Sequence, residues 1–344
     1  MTTAFALDDL LGRVLELDGS DLHLTVGVQP SVRVNGELVR LTEYPMLKPA
    51  DVERLVAPLL DQRRRERFER ELELDAAYSL PGKGRFRVNI FRQRDSLGAV
   101  LRAIPHEIVP LEVLGLPPIV ASFAEIARGL VLVTGPTGSG KSTTLATIVD
   151  LINRSRAVHI MTVEDPIEFL HRHAVGTVNQ REVGEDTLSF AAALKHVLRQ
   201  DPDVIMIGEL RDLETIQTAL TAAETGHLVL ASVHTQSAGQ TIDRIIDVFP
   251  AHQQAQVRTQ LAMSIQAIVA QQLVPTADGG RRSCAAEILV ATPAVRNLIR
   301  EGKAHQLETV MQSGARNGMQ TMAQALADLV RRGIVTQKVA ETLC

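Results

Sequence analysis

The chain has 344 residues, 45% of them apolar and 22% charged, and a formal net charge of −4. That is enough chain for two domains with cores of their own and too apolar for a disordered protein, while the near-neutral balance offers no broad basic field for nucleic acid. Its two cysteines, Cys284 and Cys344, are far apart and form no CxxC pair, which argues against a disulfide scaffold or a zinc site and fits a reducing cytoplasm.

Residues 1–11 carry Asp8 and Asp9 and lack a basic start and a long apolar run, so no secretory signal is expected there. No apolar run reaches membrane-spanning length, so no direct membrane span is expected. Asp21–Thr25 alternates like a strand, and Ser31–Leu41 predicts a hairpin that turns at Asn35-Gly36. Pro49–Leu72 predicts helix, its charged run QRRRERFERE suiting a solvated face. Leu74–Ser79, Arg85–Arg92 and Gly98–Ile104 read as strands. Residues 1–104 thus form a smaller α+β domain. Residues 105–118, with four prolines and little periodicity, form a linker, and 119–344 make a second domain.

In the second domain, strands are predicted at Gly129–Thr134, Val158–Val163, Val204–Ile207 and His227–Val233. Helices are predicted at Ser189–Arg199 and Leu213–Thr225, the latter ended by Gly226. This alternation implies an α/β fold with a parallel sheet that binds its ligand at the carboxyl ends of the strands. From Ala251 onward the chain reads as mainly helical, with Val257, Leu261, Ile265, Ile268 and Leu273 forming one stripe of a long helix.

One segment carries a definite chemistry. Gly135, Pro136, Thr137, Gly138, Ser139, Gly140, Lys141 and Ser142 match the phosphate-binding P-loop pattern G-x-x-x-x-G-K-[ST]. An apolar strand, LVLVT, precedes it, and a helix with Leu145, Ile148, Val149 and Ile152 on one face follows. Glycines let the backbone wrap phosphate oxygens, and the amides at the helix start face the anion. Lys141 would then neutralise the β- and γ-phosphates of a bound nucleotide, and Ser142 would hold Mg²⁺.

Three further segments place acids and imidazoles at strand ends. In Thr162–Glu168 (TVEDPIE), Pro166 stops a strand and leaves three acids in a turn, where a carboxylate can orient water or hold Mg²⁺. Asp203–Glu209 is an apolar strand ending in an acid, with Gly208 where an Asp is common. Gly226–Thr235 carries a histidine at each end of a strand, His227 and His234, either of which could sense the γ-phosphate.

GPTGSGKST, TVEDPIE, LRQDPDVIMIGELRD and GHLVLASVHT occur in this order, and together they resemble the secretion-ATPase superfamily that drives type II and type IV secretion and type IV pili. Within it the chain is most similar to the retraction, PilT-type branch. The early segment GSDLHLTVGVQPSVRVNGEL, the lack of a four-cysteine insert and Ala294–Glu301 (AVRNLIRE), which resembles that branch's AIRNLIRE motif, support the narrower likeness. The resemblance implies a homohexameric ring of subunits, each with a PAS-like α+β domain and a RecA-like ATPase domain. It implies that Gly135–Thr143, with Thr143 closing the run, hold the nucleotide phosphates. Glu168 would be the general base and Glu209 the Walker B acid that shares Mg²⁺ with Ser142. His227 and His234 would be histidine-box contacts. Arg85, Arg94 and Arg102 are the candidate arginines toward the γ-phosphate, in a region that also holds Arg87 and Arg92. The implied partners are an inner-membrane pilus platform protein and a PilU-like paralogue. The implied place is the cytoplasmic side of the inner membrane, with linker 105–118 as hinge.

Overall fold

In the computed structural model, residues 5–105 and 107–343 are described; Cys344 and residues 1–4 of the N-terminal segment lie outside them. Two units are distinguished, Met1–His106 and Glu107–Cys344.

The first unit begins with helix α1 (Leu7–Glu16), whose Leu7, Leu10, Leu11 and Val14 are buried. Strands β1 (Asp21–Leu24), β2 (Ser31–Val34) and β3 (Glu37–Arg40) follow, then α2 (Pro49–Val56), α3 (Gln62–Glu71), β4 (Glu73–Leu80), β5 (Gly84–Gln93) and β6 (Ser96–Ile104). The strands form one sheet in the order β3-β2-β1-β6-β5-β4 with antiparallel neighbours. Leu22, Val32, Val88 and Leu101 share a core with α1 and α2. Asn35 (φ 50°) and Gly36 (φ 87°) both take the left-handed conformation that a tight two-residue hairpin requires. The helical stretch expected over Pro49–Leu72 is broken in two. Pro58 lacks an amide hydrogen, and Asp61 starts a new helix by accepting the Arg64 amide at 2.8 Å.

The second unit opens with two short helices, α4 (Leu111–Leu114) and α5 (Ile119–Ser122). Strands β7 (Gly129–Thr134), β8 (His159–Glu164), β9 (Thr177–Glu182), β10 (Val204–Ile207), β11 (Leu228–Val233), β12 (Ile265–Pro275) and β13 (Arg282–Val290) make one sheet in the order β13-β12-β7-β11-β10-β8-β9. All neighbours are parallel except β12 and β13. Helices α6 (Lys141–Ser155), α7 (Phe190–Val197), α8 (Leu213–Glu224), α9 (Ala238–Asp247), α10 (Ala251–Ser264), α11 (Pro293–Arg300), α12 (Leu307–Ser313), α13 (Met322–Arg331) and α14 (Gln337–Leu343) complete the unit. Alternate residues of the strands feed separate cores on the two faces, Leu132, Ile205 and Val229 on one and Val131, Met206 and Leu228 on the other. Wholly apolar strands are what a sheet covered on both faces needs.

Two findings depart from the sequence reading. The long helix expected through Val257–Leu273 ends at Ser264, and Ile265, Ile268 and Leu273 belong to β12, which pairs with β7 on one side and β13 on the other. A strand buried on both faces shows apolar residues at every spacing, helical spacing included, so the stripe ran on by coincidence of period. Strand β9, sequence TVNQRE, went unread because it lies at the sheet edge with only Val178 and Glu182 buried, which leaves no apolar run.

Candidate nucleotide-binding site

The carboxyl ends of β7, β8, β10 and β11 surround a cleft of about 430 Å³ in the second unit. Lys141, Ser142, Glu168, Glu209, Ser232 and His234 are among the residues that line it. The loop from Gly135 to Gly140 joins β7 to α6, and Gly135, Gly138 and Gly140 take φ values of 146°, 79° and 88°. At Gly135 a Cβ would sit 2.3 Å from the Gln271 carbonyl oxygen, so both conformation and space demand glycine there. Gly140 is the residue before α6, so the loop delivers its chain straight into a helix N-terminus, where amides and dipole favour an anion. Thr137, Gly138, Ser142 and Thr143 line the cleft. The Ser139 hydroxyl is buried and lacks a hydrogen-bond partner. A polar, glycine-cradled pocket of this kind, with the Lys141 side chain in its wall, fits a nucleotide phosphate chain.

Lys141 donates to the carbonyls of Gly135 (2.9 Å) and Pro136 (3.0 Å), and its Nζ lies 3.3 Å from Nδ1 of His234. Burial pushes the Lys141 ammonium below its ordinary pKa, opposed by the charges of Glu209 and Glu168. The other nitrogen of His234, Nε2, lies 3.2 Å from Oε2 of Glu209, which also receives the Arg211 guanidinium at 2.7 Å. An ammonium can only donate, so Nδ1 of His234 accepts and Nε2 carries the proton toward Glu209. Burial alone would raise the Glu209 carboxyl; the Arg211 hydrogen bond and His234 outweigh it and hold the group below its ordinary pKa. Ser232 fixes the approach to Glu209 by donating its hydroxyl to the Gly208 carbonyl at 2.5 Å. Gly208 stands where an acid is common because a Cβ there would crowd the Glu164 backbone, 3.3 Å away.

The acids of Thr162–Glu168 divide sharply. Glu164 is buried, accepts Thr162 Oγ1 at 2.6 Å and Gln180 Nε2 at 3.0 Å, and burial raises its pKa. Glu168 is exposed on the cleft wall. Gln180, from β9, also donates to the Phe169 carbonyl (2.8 Å) and accepts the His171 amide (2.8 Å), so it ties down both flanks of the loop that carries Glu168.

Not every expected site residue is gathered here. His227 sits at the start of β11, where its carbonyl accepts the Gly129 amide at 2.9 Å and its Nδ1 lies 3.0 Å from the Ala222 carbonyl. The six residues of β11 separate it from the cleft end by roughly 20 Å, and of the two histidines only His234 is among the residues that line the cleft. Arg85, Arg94 and Arg102 belong to the first unit. Arg85 reaches the Ser79 hydroxyl (3.4 Å), Arg94 occupies the β5–β6 turn at φ 46°, and Arg102 pairs with the buried Asp21 at 2.7 Å. Sequence reasoning missed Gln271 and Arg211. Arg211 was open to discovery, since it lies in the GELRD signature; Gln271 carried no signal inside an apolar run.

The chain matches the family described as type II/IV secretion system protein over residues 7–281. It is 48% identical to the type IV pilus retraction ATPase PilT of Pseudomonas aeruginosa over 97% of this chain and 96% of that protein. It is 46% identical to the type IV pilus ATPase PilU of the same organism over 97% and 87%. The crystal structure of the pilus retraction motor PilT with bound ADP superposes with a TM-score of 0.90 at 46% identity, covering 99% of this chain and 97% of that one.

Proposed function

The chain belongs to the type II/IV secretion system protein family, and we propose that it is an ATP-hydrolysing motor that powers type IV pilus retraction and twitching motility. The observation that carries this reading is the convergence of Lys141, Glu168, Glu209 and His234 on one glycine-cradled cleft, in a chain 48% identical to a pilus retraction ATPase. The loop amides and the start of α6 hold the phosphates. Lys141 exchanges the carbonyls of Gly135 and Pro136 for the β- and γ-oxygens. The Ser142 hydroxyl and the ionised Glu209 offer the hard oxygen donors that suit Mg²⁺, which when bound neutralises charge developing on the phosphates.

Glu168 takes the proton of the attacking water, because it is exposed on the cleft wall, whereas Glu164 is buried and its Oε1 already accepts from Thr162 and Gln180. His234 keeps Lys141 and Glu209 in register through its two nitrogens. Arg85, Arg94 or Arg102, on this subunit or a neighbour, is the proposed source of charge at the γ-phosphate. The motor is a homohexamer working at an inner-membrane platform protein from the cytoplasmic side. None of the described helices is long and apolar enough to cross a membrane, which fits attachment through that partner.

A strain lacking this protein tests the reading. Excess surface pili without twitching, restored by wild type and not by Lys141→Ala, is the expected outcome; loss of pili would instead make it an assembly motor. The 46% identity to PilU favours a second reading, an accessory retraction ATPase acting beside a PilT-like paralogue. Twitching that survives the deletion would select it.

A further inference from the structure

Strand β12 is apolar apart from three glutamines, and one of them, Gln271, is buried at 2% exposure. A primary amide in such a place is costly unless its donor and acceptor are both engaged. Both are, and both are spent on the phosphate loop. Nε2 donates to the Ser139 carbonyl at 2.7 Å, and Oε1 accepts the Thr144 hydroxyl at 3.0 Å. Ser139 and Thr144 bracket Gly140, Lys141, Ser142 and Thr143, the stretch that meets the phosphates. The backbone of the same residue presses on the loop as well. The Gln271 carbonyl occupies the space a Cβ at Gly135 would need, and its Nε2 lies 3.1 Å from where one would stand at Gly140. The register explains the reach: Ala270 pairs with Thr134, the last residue of β7, so Gln271 comes level with the first residue of the loop.

We infer that Gln271 is the positioning residue of the phosphate loop, one that sets nucleotide affinity without touching the reacting atoms; this deepens the nucleotide-site reading above and rests on it. A loop with three glycines in left-handed or extended-positive conformations samples many shapes when unsupported. Holding it open in one shape before the nucleotide arrives removes that ordering cost from binding. The gain is the same for ground state and transition state, so it belongs in KM and in product affinity, not in kcat. The bracket also makes Thr144 and Gln271 one unit, whose loss is not the sum of two separate losses.

The test uses the full chain, with ADP and ATP as probes. Gln271→Leu keeps the volume of the side chain and removes both hydrogen bonds. It is expected to weaken ADP binding and raise the KM for ATP by at least about tenfold, with kcat within about threefold of wild type. Thr144→Val is expected to shift affinity in the same direction, Thr144→Ser to restore it, and the Gln271→Leu/Thr144→Val pair to lose no more than the larger single change. Gln272→Leu, on the neighbouring half-buried residue, is the control and leaves affinity unchanged. Unchanged ADP affinity in Gln271→Leu, or a kcat loss at constant affinity, overturns the inference. If Gln271→Leu does not fold, equal affinities for Thr144→Val and Thr144→Ser overturn it instead. A wild-type chain that binds no ADP would sink the nucleotide-site reading itself, a result distinct from either.

Discussion

His234 and Glu209 meet at 3.2 Å through Nε2 and Oε2, while the opposite nitrogen of the same imidazole lies 3.3 Å from the Lys141 ammonium. The ring therefore spans from the phosphate-loop lysine to the strand-end acid. This arrangement makes Lys141 more than a phosphate ligand, since its removal also frees one end of the bridge. Lys141→Ala is expected to abolish ATP hydrolysis, measured as phosphate release. His234→Ala keeps the lysine and loses the bridge; its turnover should fall by roughly ten- to a hundredfold. Sustained turnover in Lys141→Ala would refute the phosphate-site assignment.

The two glutamates four residues apart make a sharper test. In Glu164→Gln the new amide oxygen can accept the same hydrogen bonds from Thr162 and Gln180, and the carboxyl it replaces is already pushed toward its neutral form by burial. Turnover should stay within about threefold. Glu168→Gln removes the only ionisable group of the exposed position and should lower kcat by ~10²–10⁴ with nucleotide still bound. Steady-state kinetics with a nucleotide-binding assay separates the two, and the reverse pattern would move the base to Glu164.

How far the sequence was legible follows from what each element buries. Buried parallel strands such as Val204–Ile207 announce themselves as apolar runs, and the glycine loop between β7 and α6 is a motif with its own chemistry. The edge strand β9 hides because its neighbours are solvent and side-chain amides. Strand β12 hides because a two-faced strand imitates a helical stripe, and Gln271 goes with it, since its value depends on Ser139 and Thr144, 132 and 127 positions earlier, which periodicity does not reveal. His227 and His234 look equivalent in sequence, as ends of one strand. Only strand direction, set by the parallel pairing of β11 with β7, decides which of them faces the cleft.

His171 gives a pH prediction. It lines the cleft, its Nδ1 is buried without a hydrogen-bond partner, and burial pushes its pKa down to about 4 from 6.5. A histidine held neutral in the fold protonates first in the unfolded chain. Between pH 6.5 and 4 the unfolded state therefore binds more protons, and stability falls as pH is lowered through that window. The loss reaches on the order of 3 kcal/mol at the low end. His171→Gln should flatten the acid side of a plot of Tm against pH while leaving the neutral side nearly unmoved. An unchanged acid slope would show that other groups govern it.

The motif Ala294–Glu301 separates into an anchor and a surface, and stability measurements should show it. The Arg296 guanidinium donates to the carbonyls of Ala262 (2.7 Å) and Met263 (2.8 Å) at the end of α10, to Ala291 (3.2 Å), and to Oε1 of Gln266 on β12 (3.1 Å). The Ala262 and Met263 carbonyls are ones a helix end leaves without partners, and a cation there also suits the helix dipole. Burial and the nearby Arg300 charge lower its pKa, yet a guanidinium stays charged. Arg296→Ala is expected to cost about 2–4 kcal/mol in urea unfolding. Arg296→Lys should recover only part of this, because an ammonium cannot reach both arms of the fork. Arg300, exposed on the same helix, should change stability by less than about 0.5 kcal/mol when replaced by alanine. If retraction in cells fails in Arg300→Ala while the protein stays folded and hydrolyses ATP, the exposed half of the motif acts through a partner; equal destabilisation by Arg296→Ala and Arg300→Ala would instead make the whole segment structural.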